Sequence, residues 1–193
     1  MERTFEEVLI EQCAPTFAGV KPANMFRFDP RGSKAEALPR VLEKLPFLTR
    51  MLESRGLGLY VLKRCMRTDS LLILVYRKKR LSELVSAPEN RAFLAERGYH
   101  PGYGTEALLQ EFSGRICLEQ GFPHEIGLLL GYPLCDVRGF IENAGQGCTA
   151  QTLWKTYGDP ESAKKSCAVY KKCTQVYTRL FRAGTPLVKL VVA

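Results

Sequence analysis

Histidine is nearly absent from this chain, with two among 193 residues, and tryptophan occurs once. None of its seven cysteines (13, 65, 117, 135, 148, 167 and 173) stands in C-x-x-C spacing, which removes both the zinc ribbon and the thioredoxin motif. No apolar run approaches the ~20 residues that cross a bilayer. The opening Met1-Glu-Arg-Thr-Phe-Glu-Glu7 is acidic and helix-forming, unlike the basic-then-apolar start of a secretory leader. Repeats and disordered linkers are missing too. Acid is the scarcer charge: 20 Asp and Glu against 28 Lys and Arg leave a net charge of +8. These absences point to a cytoplasmic, reduced protein whose thiols are mostly small buried hydrophobes, with a surface that favours anionic partners.

With 46% hydrophobic and 25% charged residues, 193 residues suffice for one well-buried domain, 1–193. Phe5, Val8, Leu9 and Cys13 recur at helical spacing, and Pro15 is expected to end that helix. Cys13-Ala-Pro-Thr-Phe-Ala-Gly-Val-Lys21 then reads as a small, turn-rich loop ending in a lone lysine. Asn24–Phe28 reads as a short strand closed by an Asp29-Pro-Arg-Gly32 turn. Ser33, with Glu36 three residues on, predicts a capping box for a helix to about Arg55, kinked near Pro46 and ended by Gly56. The runs 57–64 and 71–77, joined by Arg67-Thr-Asp-Ser70, predict an antiparallel hairpin. Helices follow over about 80–86, 89–97 and 104–120.

Asp159-Pro-Glu161 is a strong helix start, with an acid cap, a proline at the first position and an acid on the dipole. On a helical wheel through 182, Lys164, Lys165, Lys171, Lys172, Arg179 and Arg182 fall together between about 40° and 160°. Ala163, Val169, Tyr170, Cys173, Val176, Tyr177, Leu180 and Phe181 take the other side. After Gly184 and Pro186, residues 187–192 are expected to supply a final strand to the sheet. The sum is an α+β fold: a small antiparallel sheet of three or four strands, a helical layer, and a largely helical stretch from about 80 to 184.

The densest stretch is Phe122-Pro-His-Glu-Ile-Gly-Leu-Leu-Leu-Gly-Tyr-Pro-Leu-Cys-Asp-Val-Arg-Gly-Phe-Ile-Glu-Asn143. Gly131 stops a helix from Pro123 to Leu130, and Pro133 opens a second to about Asn143, so the pair resembles a helix-turn-helix. DNA reading is disfavoured. Of the residues expected to face outward (Pro133, Leu134, Cys135, Arg138, Gly139, Glu142), only Arg138 suits a base edge, while Asp136 and Glu142 would repel phosphate. His124 in the first turn feels the positive end of the helix dipole and is suited to act as a neutral acceptor, general base or ligand. Glu125 beside it is most simply a dipole acid. Cys13, next to a proline-broken loop carrying Lys21, is the candidate nucleophile if a base such as His124 lies within reach. Cys148 and Cys173 could pair on a metal only if the fold joined them, so no metal is assigned.

Two segments, Cys13–Lys21 and Phe122–Asn143, together with Trp154-Lys-Thr-Tyr-Gly158 and Tyr170-Lys-Lys-Cys-Thr174, resemble a bacterial family, domain of unknown function 3793, found chiefly in anaerobes. The resemblance spans nearly the whole chain. It implies a cytoplasmic protein of anaerobic metabolism and an association with flavodoxin-like neighbours, but no activity or cofactor. Family members carry additional cysteines just before the tryptophan, whereas Cys148 stands alone here, which counts against a metal cluster.

The leading expectation is therefore a binding or accessory protein that holds a small ligand or redox cofactor near Cys13, Lys21, His124 and Glu125. Its basic face (Lys164, Lys165, Lys171, Lys172, Arg179) would dock an acidic partner, flavodoxin-like on the resemblance. The alternatives are a helix-turn-helix regulator and a Cys-dependent enzyme using Cys13 and His124.

Overall fold

The hairpin expected from the β-rich runs forms the middle and one edge of a three-stranded sheet. A computed structural model describes residues 3–33, 36–118 and 121–192. In it β1 (Ala23–Phe28) and β2 (Leu57–Cys65) both pair antiparallel with β3 (Ser70–Arg77), giving the order β1-β3-β2. β1 is thus an edge strand. Alternation along each strand sends Phe26, Phe28, Leu71, Ile73 and Val75 to one core, and Ala23, Leu72, Leu74 and Tyr76 to another. The fold is α+β, with helices on both faces of the sheet.

One face carries α1 (Phe5–Phe17) and α3 (Leu38–Glu53), and the long α9 (Pro160–Arg182) crosses α1. Fully buried Phe5, Phe17 and Phe28 anchor this core, each side chain stabilising the fold by roughly 1.5–3 kcal/mol. The other face carries α4 (Lys78–Ser86), α5 (Pro88–Glu96), α6 (Thr105–Leu118), α7 (Ile126–Leu129) and α8 (Leu134–Glu142). Phe93, Leu108, Leu109 and Phe112 fill its centre.

Several local expectations give way to packing. Pro15 does not end α1: the helix continues to Phe17, and Cys13, Ala14, Pro15, Thr16 and Phe17 are all buried. A proline here forfeits only its own N–H bond, and the burial of this apolar turn outweighs that loss. The helix closes instead at Gly19 (φ +74), whose N–H donates to the Thr16 carbonyl while the Val20 N–H donates to that of Pro15. Arg77 completes the closure, donating from Nε to the Thr16 carbonyl and from Nη2 to that of Phe17, both at 2.8 Å. Arg77, first of the basic run Arg77-Lys-Lys-Arg80, is therefore part of the fold's own bonding.

The helix expected from Ser33 begins only at Leu38, capped by Ala37, and Ser33 closes the single-turn α2 (Pro30–Ser33). Glu36 accepts from the Phe5 backbone N–H at 3.4 Å and from Lys44, tying α1 to α3 rather than completing a capping box. Pro46 leaves α3 unbroken because it lies on the exposed side of the stripe Leu38, Val41, Leu45, Leu48 and Leu52. The final strand is absent: Leu187–Leu190 forms a 3₁₀ turn. Pro186 sets its start, and Leu187, Leu190 and Val191 are buried against α1 and α9. Only the Val192 N–H, donating to the Phe17 carbonyl, resembles a strand contact.

The first helix of the expected helix-turn-helix shrinks to the four residues of α7. Gly139, expected outward, is buried, and a Cβ there would stand 2.4 Å from Tyr157. α8 is covered on that side by a two-stranded ribbon, β4 (Ala150–Gln151) with β5 (Lys155–Thr156), which periodicity does not reveal.

Candidate functional site

The turn after α1 aims Lys21 inward at the edge of the sheet. Closure at Gly19 forces the chain to reverse, and the Lys21 N–H joins that of Val20 on the Pro15 carbonyl. Lys21 is only 6% exposed. Its ammonium sits 5.2 Å from the centroid of the Tyr132 ring and 5.5 Å from that of Tyr170. No carboxylate or hydrogen-bond acceptor partners it among the described residues. Burial drives its pKa down to about 8, although the neighbouring Cys13 and Cys167 thiols favour the charged form. A cation this buried ordinarily has an anion beside it.

Tyr132 reaches that position through the turn glycine of the central stretch. Gly131 adopts φ +78, and a Cβ there would meet Pro22 at 2.5 Å, so the two chain segments pack backbone to ring. Behind Tyr132 stands Trp154, stacked at 4.8 Å with an 18° interplanar angle. Asp136 pins that ring. Its buried carboxylate accepts from Trp154 Nε1 at 2.7 Å and from the Tyr157 and Gly158 N–H groups at 2.7 and 2.8 Å. All three are charge-assisted bonds that fasten the β4–β5 ribbon to α8.

Two cavities open near this aromatic stack, one on each face of β1. One, about 410 Å³, lies along the α1 side of β1 and is lined by Gln12, Lys21, Asn24, Tyr170, Lys171 and Thr174, among others. The other, about 230 Å³, lies on the opposite side and is lined by Met25, Phe122, His124, Tyr132, Phe140 and Trp154 with neighbouring aliphatics. Asn24 and Met25 are consecutive on edge strand β1 and project to opposite faces, so one reaches each cavity. Leu153, at the tip of the β4–β5 ribbon and 53% exposed, lines both. Several residues lining the first cavity carry amide, hydroxyl or ammonium groups; the second is a slot of rings, with His124 edge-on to Phe140 at 4.8 Å.

The structure divides the site expected from the sequence. Lys21 and His124 line adjoining cavities. Cys13 does not join His124: it is fully buried in the core on the α1 face, whereas the walls of the His124 slot, Ile126, Leu130 and Val137, belong to the core on the opposite face. Burial also pushes the Cys13 thiol far above its ordinary range, which removes the thiolate a nucleophile needs. Glu125 is held by Arg97 at 3.6 Å. Among the described residues, no three His, Cys, Asp or Glu side chains cluster as a metal site requires. Tyr132, Trp154, Tyr170 and Asp136 are the site residues that sequence reasoning missed. Their one legible signal was that each falls in a segment carrying the family resemblance: Tyr132 and Asp136 in 122–143, Trp154 in 154–158 and Tyr170 in 170–174.

The basic face of α9 is exposed at Lys164, Lys165, Lys171, Lys172 and Arg179, with Lys164 paired to Glu161 at 2.7 Å. Its apolar side is less covered than the wheel implies, since Val169 and Leu180 stay 46% and 38% exposed. No helix among the described residues is long and apolar enough to cross a membrane.

Residues 9–191 match the model of a family described as protein of unknown function (DUF3793). The chain belongs to that family. No curated protein and no solved structure matches the chain.

Proposed function

We propose that this protein binds a small anionic ligand that also carries a flat apolar group, spanning the two cavities at the β1 edge. The observation that carries this reading is Lys21: a buried ammonium, between two tyrosine rings, lining a cavity and lacking an anion among the described residues. A carboxylate or phosphate in the Lys21 cavity would supply the missing charge, with Lys171 and the amides of Gln12 and Asn24 beside it. The ring slot beyond Tyr132 would take the apolar end by stacking.

Trp154 is the chain's single tryptophan and lines the ring slot, stacked on Tyr132, so its fluorescence reports binding there directly. Titration with 3-phenylpropionate should change that emission saturably, and acetate or benzyl alcohol should bind far more weakly. Equal binding of all three, or none of any, would refute the reading.

The same protein would act in the cytoplasm as an accessory factor, its exposed α9 cations docking an acidic, flavodoxin-like partner. Support comes from Lys165, Lys171 and Lys172, which stand exposed on one helix face. The DNA-reading alternative draws less support: Arg138, its one suitable side chain, lies 3.3 Å from Glu96 and 4.8 Å from the Phe93 ring.

A further inference from the structure

Resting on that reading, we propose that Lys21 is a nucleophilic amine that condenses with a carbonyl group of its ligand, so that the site takes 2-oxo acids or aldehydes bearing a ring. Three features of the geometry support this. Nζ is buried between the faces of Tyr132 and Tyr170, with no carboxylate among the described residues to hold it as an ammonium. Lys21 nevertheless contributes to the lining of a cavity on the protein surface. It also lies over Tyr132, a lining residue of the ring slot, so a carbonyl placed between a ring in that slot and a carboxylate in the Lys21 cavity would arrive beside it. The groups facing it from α1 and α9 are Cys13, Cys167, Tyr170 and Lys171, and from the 131–133 turn Tyr132. Desolvation by these neighbours brings the amine to about 8, so an appreciable fraction is neutral near pH 7.

The step balances without a further reagent. The Lys21 nitrogen lone pair attacks the carbonyl carbon, and the C=O π pair moves to oxygen, which takes a proton to give a carbinolamine. The hydroxyl then leaves as water as the C=N bond forms, so both amine hydrogens and the carbonyl oxygen depart as one water molecule. Lys171 on the rim of the cavity would hold the carboxylate of a 2-oxo acid during the step.

Phenylpyruvate and 3-phenyllactate separate this proposal from the binding reading, because they share ring and carboxylate while only the first has a ketone. With cyanoborohydride, phenylpyruvate should add its own mass less water plus H₂ to a single peptide, the one containing Lys21. The adduct should be lost in Lys21→Arg and Lys21→Met, whose circular dichroism verifies folding. Binding of 3-phenyllactate to the wild-type protein without a trapped phenylpyruvate adduct overturns the imine and leaves the binding reading intact. Adducts spread over surface lysines, or unchanged in Lys21→Arg, overturn it as well. Failure of both compounds to bind overturns both proposals.

Discussion

The two cavities at the β1 edge differ in what holds their walls in place. The ring slot is rigidly built: Asp136, buried and triply hydrogen-bonded, locks Trp154 against Tyr132, and His124 and Phe140 close the far side. The Lys21 cavity has the opposite character, with amide and hydroxyl side chains near a cation that has no counter-charge among the described residues. One side is satisfied by the protein itself, and the other would be completed by a ligand. Unmet polar demand next to a preformed apolar slot is the usual signature of a binding site, because core packing alone selects against it.

Removing the peg of the rigid side should have the largest effect. Asp136→Ala strands Trp154 Nε1 and the Tyr157 and Gly158 N–H groups, and should cost about 3–5 kcal/mol in denaturant unfolding. Its Trp154 emission should shift toward that of an exposed indole even where the protein stays folded. An unchanged spectrum and midpoint would mean the ribbon is held by something else.

The unsatisfied side should respond with the opposite sign. The folded protein binds the Lys21 proton less tightly, with a pKa of about 8 against 10.5 ordinarily, so the charge penalty is full below pH 8 and fades as pH rises to 10.5. Lys21→Met should therefore stabilise the fold by about 2 kcal/mol at pH 7, with the gain vanishing above pH 10.5, while abolishing ligand binding. Stability of the unsubstituted protein should rise from about pH 8 to 9. It should then level off between about pH 9 and 10.5, where the Cys13 thiol held neutral in the folded state offsets the continuing Lys21 gain, and turn down above pH 10.5, where only the Cys13 effect remains. A destabilising Lys21→Met at neutral pH would show that the tyrosine cage outweighs desolvation.

Phe140→Ala should sharpen the contrast. It widens the ring slot without touching the Lys21 cavity, weakening 3-phenylpropionate about tenfold, or about 1.4 kcal/mol, and leaving acetate unaffected. The smallest effect on stability, within about 0.5 kcal/mol, is expected for Lys172→Glu on the exposed face of α9. That change should instead weaken a salt-sensitive association with an acidic partner; insensitivity to both charge and salt would remove α9 as a docking face.

How much of this was legible differs by element. The β2–β3 hairpin, the cap of α9 at Asp159 and the helices between 78 and 118 follow from short-range patterns of turn residues, caps and period, and the structure has them there. Pro15 and Pro46 misled because local propensity weighs one residue, whereas burial of a whole helix stripe weighs many. The β4–β5 ribbon is too short to leave a periodic signal, and Asp136 fastens it to α8 by accepting from Trp154 within it and from the Tyr157 and Gly158 N–H groups just after it.

By itself the sequence determined the α+β class, the β2–β3 hairpin, the basic outer face of α9, and that Lys21 and His124 belong to the unusual segments. Only the tertiary structure decided that Cys13 faces the α1 core while His124 lines a slot on the other side of the sheet. It also decided that Lys21 lies between Tyr132 and Tyr170. The reason is the pleat. Consecutive residues of an edge strand serve opposite faces, so residues read as neighbours along the chain are parted, and residues over a hundred positions apart are joined, by which side of β1 each one meets.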